Sequence, residues 1–440
     1  MTTNRLNSQV TFLISSYNRR DVLLHTLREL AVINATCGVA AQTIVVDNAS
    51  TDGTADAVDD AFADVILIRQ STNRGACSKN VGLAQVKSPY VIFLDDDSFP
   101  NSQSIRRMIQ HFEADPKLGA AVFDVVLPDG THECSAYPSV FIGCGTGFRM
   151  AALKQVGGLP EDFFMQAEEY DLSLRLLNGG WRVRRFDDLQ VSHLKTPSAR
   201  QPTRTTRLDV RNNLTLIARH FPRQWIIPFA IDWMGRYRWL AQAKGWRHHL
   251  AFWRGLIEGM SRAHRTLSLL RYSGGGLGWG PIRAAGACST QPPPRPSPGV
   301  PEEGENCAPF YGRRPISEDA FEQFAMVRLI QSRLQAVIRE HGCRSILLID
   351  LGKNILPFWL AAKACGVKII AIADPKLAGR RYRGISVVDD AQASRMVFDL
   401  AVISNISPVH AKLRRESWRQ SCPVPVIDLM ENDAAQSIAA

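Results

Sequence analysis

Three carboxylates in a row, Asp95-Asp96-Asp97, follow the apolar run Tyr90-Val-Ile-Phe-Leu94. Adjacent carboxylates repel one another and are costly unless a cation or hydrogen-bond donors offset the charge. Hard oxygen ligands of this kind suit Mg²⁺ or Mn²⁺ shared with phosphates. The same residues also fit a solvated loop in which Asp97 or Ser98 caps the next helix. Farther along, Glu168-Glu169-Tyr170-Asp171 sets two glutamates side by side. Partial burial there raises a carboxyl pKa, which suits a general base. It equally suits a helix first turn whose acids answer the macrodipole.

The elements around these residues alternate. Val10–Ile14, Thr43–Val46, Val65–Ile68 and Tyr90–Leu94 are short apolar strands, while Leu23, Leu24, Leu27, Leu30 and Ala31 follow helical spacing. Such alternation predicts an α/β fold with a mainly parallel sheet covered on both faces. Ligands bind beyond the carboxyl ends of such strands, a rule that sets Ser16, Asp47 and Asp95–Asp97 on one rim. Pro128-Asp129-Gly130 reads as a turn between two further strand-like stretches.

The ordered motifs resemble those of family 2 glycosyltransferases of the GT-A fold. They are Ser15-Ser-Tyr-Asn-Arg19, Val46-Asp-Asn-Ala-Ser-Thr-Asp-Gly-Thr54, Asn73-Arg-Gly75 with Lys79-Asn-Val-Gly82, Leu94–Asp97, Gly145-Thr-Gly147 with Arg149 and Val156–Leu159, and Glu168–Arg175. The resemblance covers about the first 220 residues and has a rhamnosyltransferase-like character. It implies a nucleotide-diphospho-sugar donor bound by Ser16, Asn18, Asp47, Asn73, Arg74, Lys79, Asp95 and Asp96. Asp47 resembles the carboxylate that reads the base; a turn-closing role is its alternative. Asp97 resembles the direct ligand of a Mg²⁺ or Mn²⁺ ion, and His193 a further ligand found in some members. A hydrogen-bonded strand-end histidine is the other reading of His193. Arg74 either adds charge near the phosphates or is a solvated surface residue. Glu169 occupies the place of the catalytic base, where the family more often has Asp. Asn212 and Asn213 are assigned structure rather than chemistry.

The chain has 440 residues and a formal charge of +10, with ordinary apolar and charged fractions of 45% and 21%. Its length suggests two or three domains. The nine cysteines include no CxxC pair, which leaves a structural zinc site or disulfide scaffold without support. No signal-like start and no run near the ~20 apolar residues of a spanning helix occur. The expectation is a cytoplasmic protein, peripheral on the inner face of the cell membrane if it docks there. Between Arg200 and Arg271 stand fourteen Lys and Arg against three acids, a net of +11, so the remainder is nearly neutral. Trp225, Trp233, Trp239, Trp246 and Trp253 lie in this segment, and Trp239, Trp246, Trp253 and Met260 recur every seven residues. Three readings stand: an interfacial helix pair on anionic lipid, packing against the catalytic domain, and the least favoured, nucleic acid.

Four regions are expected: a GT-A domain over 1–215, a basic Trp-rich helical extension over 216–272, a Gly/Pro-rich linker over 273–312, and a smaller Rossmann-like α/β domain over 313–440. In the last, Asp350-Leu-Gly352 follows a strand and Asp374 ends the next, as in a Rossmann site. Only one of three glycines is present, so a docking or regulatory module outweighs nucleotide binding. The expected function is metal-dependent inverting transfer of a hexosyl or deoxyhexosyl group to a hydroxyl of a glycan or lipid-linked acceptor in cell-envelope polysaccharide synthesis. The alternatives are a non-catalytic nucleotide-sugar or glycan-binding protein with a regulatory C-terminal domain, and nucleotidyl transfer. The last lacks the Gly-rich loop it would need after the first strand, since Ser15–Arg20 contains no Gly.

Overall fold

The computed structural model describes residues 8–196, 201–268 and 312–431. The expected linker falls outside them except for Gly312. The described chain separates into two compact units. The first comprises 8–133, 139–221 and 250–316; the second comprises 134–138, 222–249 and 317–431.

The first unit runs β1 (Val10–Ser16), α1 (Arg20–Thr36), β2 (Ala41–Asp47), α2 (Thr54–Ala61), β3 (Ile66–Arg69), α3 (Lys79–Leu83), β4 (Tyr90–Leu94), β5 (Ser98–Pro100), α4 (Ser102–Ala114), β6 (Leu118–Val126), β7 (His132–Glu133), β8 (Thr146–Arg149), α5 (Met150–Val156), α6 (Glu168–Asn178), β9 (Arg182–His193) and α7 (Pro202–His220). The nine strands form one sheet in the order β3-β2-β1-β4-β8-β6-β9-β5, with β7 beside β6. β1 pairs in parallel with both β2 and β4, so the strand order reverses at β1. Ser16, Asp47 and the residues after Leu94 therefore share a rim, as the alternation predicts. Phe12, Ile14, Val45, Ile92 and Leu94 are fully buried in the sheet core.

The helical segment does not form one extension. α8 (Arg223–Ala243) and the start of α9 (Trp246–Ser268), up to His249, group with the second unit, and α9 from Leu250 onward with the first. Gly245 lies between them at φ +103°, a backbone state that L side chains rarely adopt. Trp239 therefore sits on a different helix from Trp246, Trp253 and Met260. Trp233 is fully buried, and Trp225 stacks on Phe321 in the same unit, so these two belong to a core. α9 lies close on α7 because Gly255 and Gly259 have no side chain; a Cβ at Gly255 would sit 2.3 Å from the Arg207 carbonyl oxygen.

The second unit continues with α10 (Glu318–Ala325), α11 (Val327–His341), β10 (Ser345–Ile349), α12 (Ile355–Ala364), β11 (Lys368–Ala373), β12 (Arg381–Tyr382), β13 (Ile385–Val388), α13 (Asp390–Ala393), β14 (Leu400–Ile403), α14 (Pro408–Ser421) and β15 (Val426–Ile427). Its sheet has the order β12-β13-β11-β10-β14-β15, with β10 flanked in parallel by β11 and β14. No described helix is long and apolar enough to cross a membrane.

Candidate active site

Each strand end on the first rim is held by its own turn. Asn18 takes a left-handed backbone, φ 51°, and donates its N–H to Ser50 Oγ (2.9 Å) while its Oδ1 accepts from the Thr51 N–H (2.7 Å). Asn18 thus ties the β1 and β2 loops together. Asp47 accepts the Ser50 N–H at Oδ2 (3.2 Å), the turn-closing role. Among the described residues its buried Oδ1 has no hydrogen-bond partner, which leaves half of this carboxylate open to a ligand. Asn73 accepts from Asn48 Nδ2 (2.9 Å) and from the Gly75 N–H (2.9 Å), which makes it a loop organiser. The Arg74 guanidinium faces Glu161 at 3.3 Å and is about 30% exposed.

The aspartate run separates into three environments. Asp95, the most exposed, faces the buried Lys79 ammonium at 3.3 Å. Asp96 accepts from the Ser16 hydroxyl (2.8 Å) and pairs with Arg19 (3.1 Å). Burial pushes its carboxyl up to about 6 against the opposing pull of Arg19 and Ser16. Asp97 accepts from Arg19 (2.8 Å) and from the Thr196 N–H (2.9 Å), and faces His193 Nε2 at 3.3 Å. Burial alone would raise its pKa, but His193 and Arg19 outweigh burial and hold the carboxylate well below its usual range. Arg19 bridges two of the three acids, a role not assigned to it from the sequence.

His193 ends β9, which runs antiparallel to β5 with Ser98 opposite His193. It is 5% exposed and lies between Asp97 and Glu133, with Nδ1 3.3 Å from Glu133. Burial opposes its charge, but contacts with Asp97, Cys144 and Glu133 push it up to about 12. Among the described residues, Asp95, Cys144 and His193 present donor atoms that all lie within 4.8 Å of one another. Among the described residues Nε2 of His193 makes no well-directed hydrogen bond, though Asp97 Oδ1 stands 3.3 Å from it. An unpartnered buried imidazole nitrogen beside a carboxylate is a donor set that fits a divalent cation. Asp97, the expected ligand, accepts Arg19 and Thr196 at Oδ2 and keeps Oδ1 3.3 Å from His193 Nε2, so it borders this cluster together with Asp95. Sequence reasoning missed Cys144, whose only signal is its position in Gly143-Cys-Gly145 just before β8.

Glu168 and Glu169 open α6 after Gln166 and Ala167, both left-handed at φ 72° and 68°. Strained non-Gly backbone persists only where its surroundings over-determine it. Here Asn212 Nδ2, fully buried on α7, donates to the Met165 and Gln166 carbonyls (2.8 and 2.9 Å). Asp171 fixes the far side of the turn: Arg175 (2.7 Å), His220 (2.6 Å) and Arg219 (3.4 Å) surround it and keep it ionised despite burial. Glu169 has no such cation. Burial raises it to about 7, and the Asp95 charge adds to the rise against a smaller pull from Lys79. A Cβ at Gly143 would lie 3.5 Å from Glu169 Oε1, so this carboxyl stands against the loop that carries Cys144.

Residues 11–156 match the family model described as Glycosyl transferase family 2. The match includes the rim from Ser16 to Asp97 and stops short of Glu169 and His193. Over 114 residues the chain is 32% identical to a poly-beta-1,6-N-acetyl-D-glucosamine synthase of Staphylococcus aureus, which is 25% of this chain and 27% of that protein. Over 125 residues it is 31% identical to a succinoglycan biosynthesis protein of Rhizobium meliloti, 28% of this chain and 35% of that one. The chain thus spans only about a quarter to a third of these relatives. Among solved structures it resembles a mannosyltransferase of Pyrobaculum calidifontis in complex with GDP-Man and Mn²⁺ at 20% identity and a TM-score of 0.41, over 61% of this chain and 81% of that one. A likeness that distant carries no argument about activity.

Proposed function

We propose that the chain is a metal-dependent, inverting glycosyltransferase that moves a sugar from a nucleotide-diphospho-sugar to a hydroxyl of a glycan or glycolipid acceptor. One observation carries the reading: Asp47 with an open oxygen, the Asp95–His193 donors and the raised carboxyl of Glu169 belong to one domain, at and beside the carboxyl ends of its central strands.

Asp47 Oδ1 accepts an N–H from the nucleotide base. Asp96, oriented by Ser16 and Arg19, faces the ribose. Asp95, Asp97 and His193 would hold the Mg²⁺ or Mn²⁺ ion, with Glu133 at Nδ1 orienting the His193 ring. When bound, that ion supplies Lewis-acid stabilisation of charge on the departing diphosphate. Glu169 accepts the acceptor's hydroxyl proton as its oxygen attacks the anomeric carbon opposite the diphosphate, which inverts that centre. A base that burial raises toward neutrality is well placed for general-base catalysis.

The acceptor's setting follows from α9. Trp246, Leu250, Trp253, Ile257 and Met260 are 42–72% exposed at alternating spacings of four and three residues, which gives one apolar stripe. Arg247, Arg254 and Arg265 are exposed on the same helix. Trp and Leu in the headgroup region with Arg on anionic phosphates suit a peripheral helix at the inner face of a cell membrane. Nucleic acid has no comparable support.

A panel of UDP-, GDP- and dTDP-sugars with Mg²⁺ or Mn²⁺ tests the enzyme reading, with slow hydrolysis of one donor expected. Neither binding nor turnover across the panel overturns it. Flotation with anionic vesicles tests the surface, and equal flotation after Trp246→Ser and Trp253→Ser rejects it.

A further inference from the structure

Cys144 has no part in the mechanism above, yet it lies where a cation would. It is 3% exposed, in no disulfide, and stands in the loop that enters β8. β8 pairs with β4, whose end carries Asp95, and β8 reaches β9, whose end carries His193, through β6. Strand order therefore brings together three donors that are 49 residues apart along the chain in each direction. Their ligand atoms lie within 4.8 Å of one another. Bonds of about 2.0–2.3 Å to a tetrahedral ion put neighbouring donors roughly 3.3–3.8 Å apart, so closure needs shifts of about an ångström. The buried Nε2 of His193, with no well-directed hydrogen bond among the described residues and only Asp97 Oδ1 near it at 3.3 Å, is a second sign of a ligand at this place.

The donor set is one carboxylate oxygen, one imidazole nitrogen and one sulfur. Mg²⁺ demands oxygen ligands and keeps its waters. Sulfur and imidazole favour the later divalent ions, in the order Mn²⁺ below Co²⁺ with Zn²⁺ also strongly held. We infer that Cys144 is a cation ligand and sets the metal preference of the site, with Co²⁺ and Zn²⁺ bound more tightly than Mn²⁺ and Mg²⁺ weakest. The inference rests on the cation dependence proposed above. Binding forms a bond from sulfur to the ion and breaks the S–H bond, and the proton passes to the buffer. No electron is transferred.

The test is titration of the full chain with CoCl₂ under reducing, oxygen-free conditions. A thiolate-to-cobalt charge-transfer band in the near ultraviolet and release of protons are expected. Cys144→Ser and Cys144→Ala each remove the band and weaken Co²⁺ by at least about the 10–100-fold that loss of even an outer partner costs. Mg²⁺ affinity of the serine variant stays within a few-fold of the parent, and Cys365→Ser keeps the band. Saturable Co²⁺ binding without the band in the parent chain overturns the inference and leaves the cation dependence standing; this reading needs no variant to fold. A band that survives in both Cys144 variants does the same. No saturable binding of Co²⁺, Mn²⁺ or Mg²⁺ overturns the cation dependence itself.

Discussion

Both units carry aspartates at the ends of parallel strands, but the first rim leaves a carboxylate oxygen open where the second pairs its acids within the unit. On the first, Asp47 keeps a buried oxygen without a partner, and Glu169 and Asp96 are held well above the usual carboxylate range. On the second, Asp350 pairs with Arg414 at 2.7 Å and accepts from Asn405, and Arg414 also grips Asp390 at 2.6 Å. Asp374 accepts N–H groups from Leu351, Lys376 and Leu377. Residues 134–138 of the same unit bond to the loops that follow β10 and β14: Asn354 donates to the Ala136 carbonyl (2.7 Å), the Tyr137 hydroxyl donates to the Lys353 carbonyl (3.2 Å), and Cys134 meets Ser407 at 3.0 Å. Similar topology yields a reactive rim or a structural one according to whether the chain supplies its own partners.

The contrast can be broken most severely at Glu169. Glu169→Gln lowers transfer by about 10²–10⁴-fold while donor affinity, read by calorimetry, stays unchanged. The parent's transfer rate falls as pH drops through about 7, because protonation of Glu169 removes the base; a profile flat from pH 5 to 8 rejects the assignment. The stability sign is opposite: a carboxyl raised by the fold favours the folded state below its unfolded pKa, and that contribution is lost as pH rises through about 7.

Next in size is Arg414→Ala, which leaves Asp350 with little compensation on the closed rim. It costs on the order of 3 kcal/mol in denaturant unfolding and leaves donor affinity unchanged. A loss of donor affinity would mean that the second rim also binds nucleotide. Asn212→Ala costs about 1–3 kcal/mol by leaving two carbonyls of a strained turn unpaired; it lowers kcat more than KM because Glu169 loses its setting. Arg74→Ala is the smallest change. Its exposed pair with Glu161 contributes at most about 1 kcal/mol, so a large fall in donor affinity would place Arg74 on the phosphates after all.

Much of this was legible beforehand. β4 coincides with the apolar run Tyr90–Leu94, because a strand buried on both faces leaves little room for polar residues. Helix boundaries are harder to read: a helical pattern runs unbroken over 317–341, yet the structure holds two helices that meet at Met326 with φ 55°, a left-handed state that no Gly announces. The seven-residue Trp spacing suggested a common face, but Gly245 ends one helix before the next begins. In the site, local motifs marked the acids and could not pair them. That Arg19 would bridge Asp96 and Asp97, or that Cys144 would meet His193, depends on strand order rather than spacing. The basic excess met the same limit, since its residues divide between two cores and one exposed stripe.

That division has a consequence for how the polypeptide is made. Each unit is stitched from three separate stretches, and the second includes 134–138 and 222–249, which leave the ribosome well before β10. Those pieces must wait, with Trp225, Phe229 and Trp233 uncovered, until the C-terminal strands emerge. No single cut yields either unit whole, and a nascent chain stalled near residue 316 would display this aromatic cluster to the cell's chaperones.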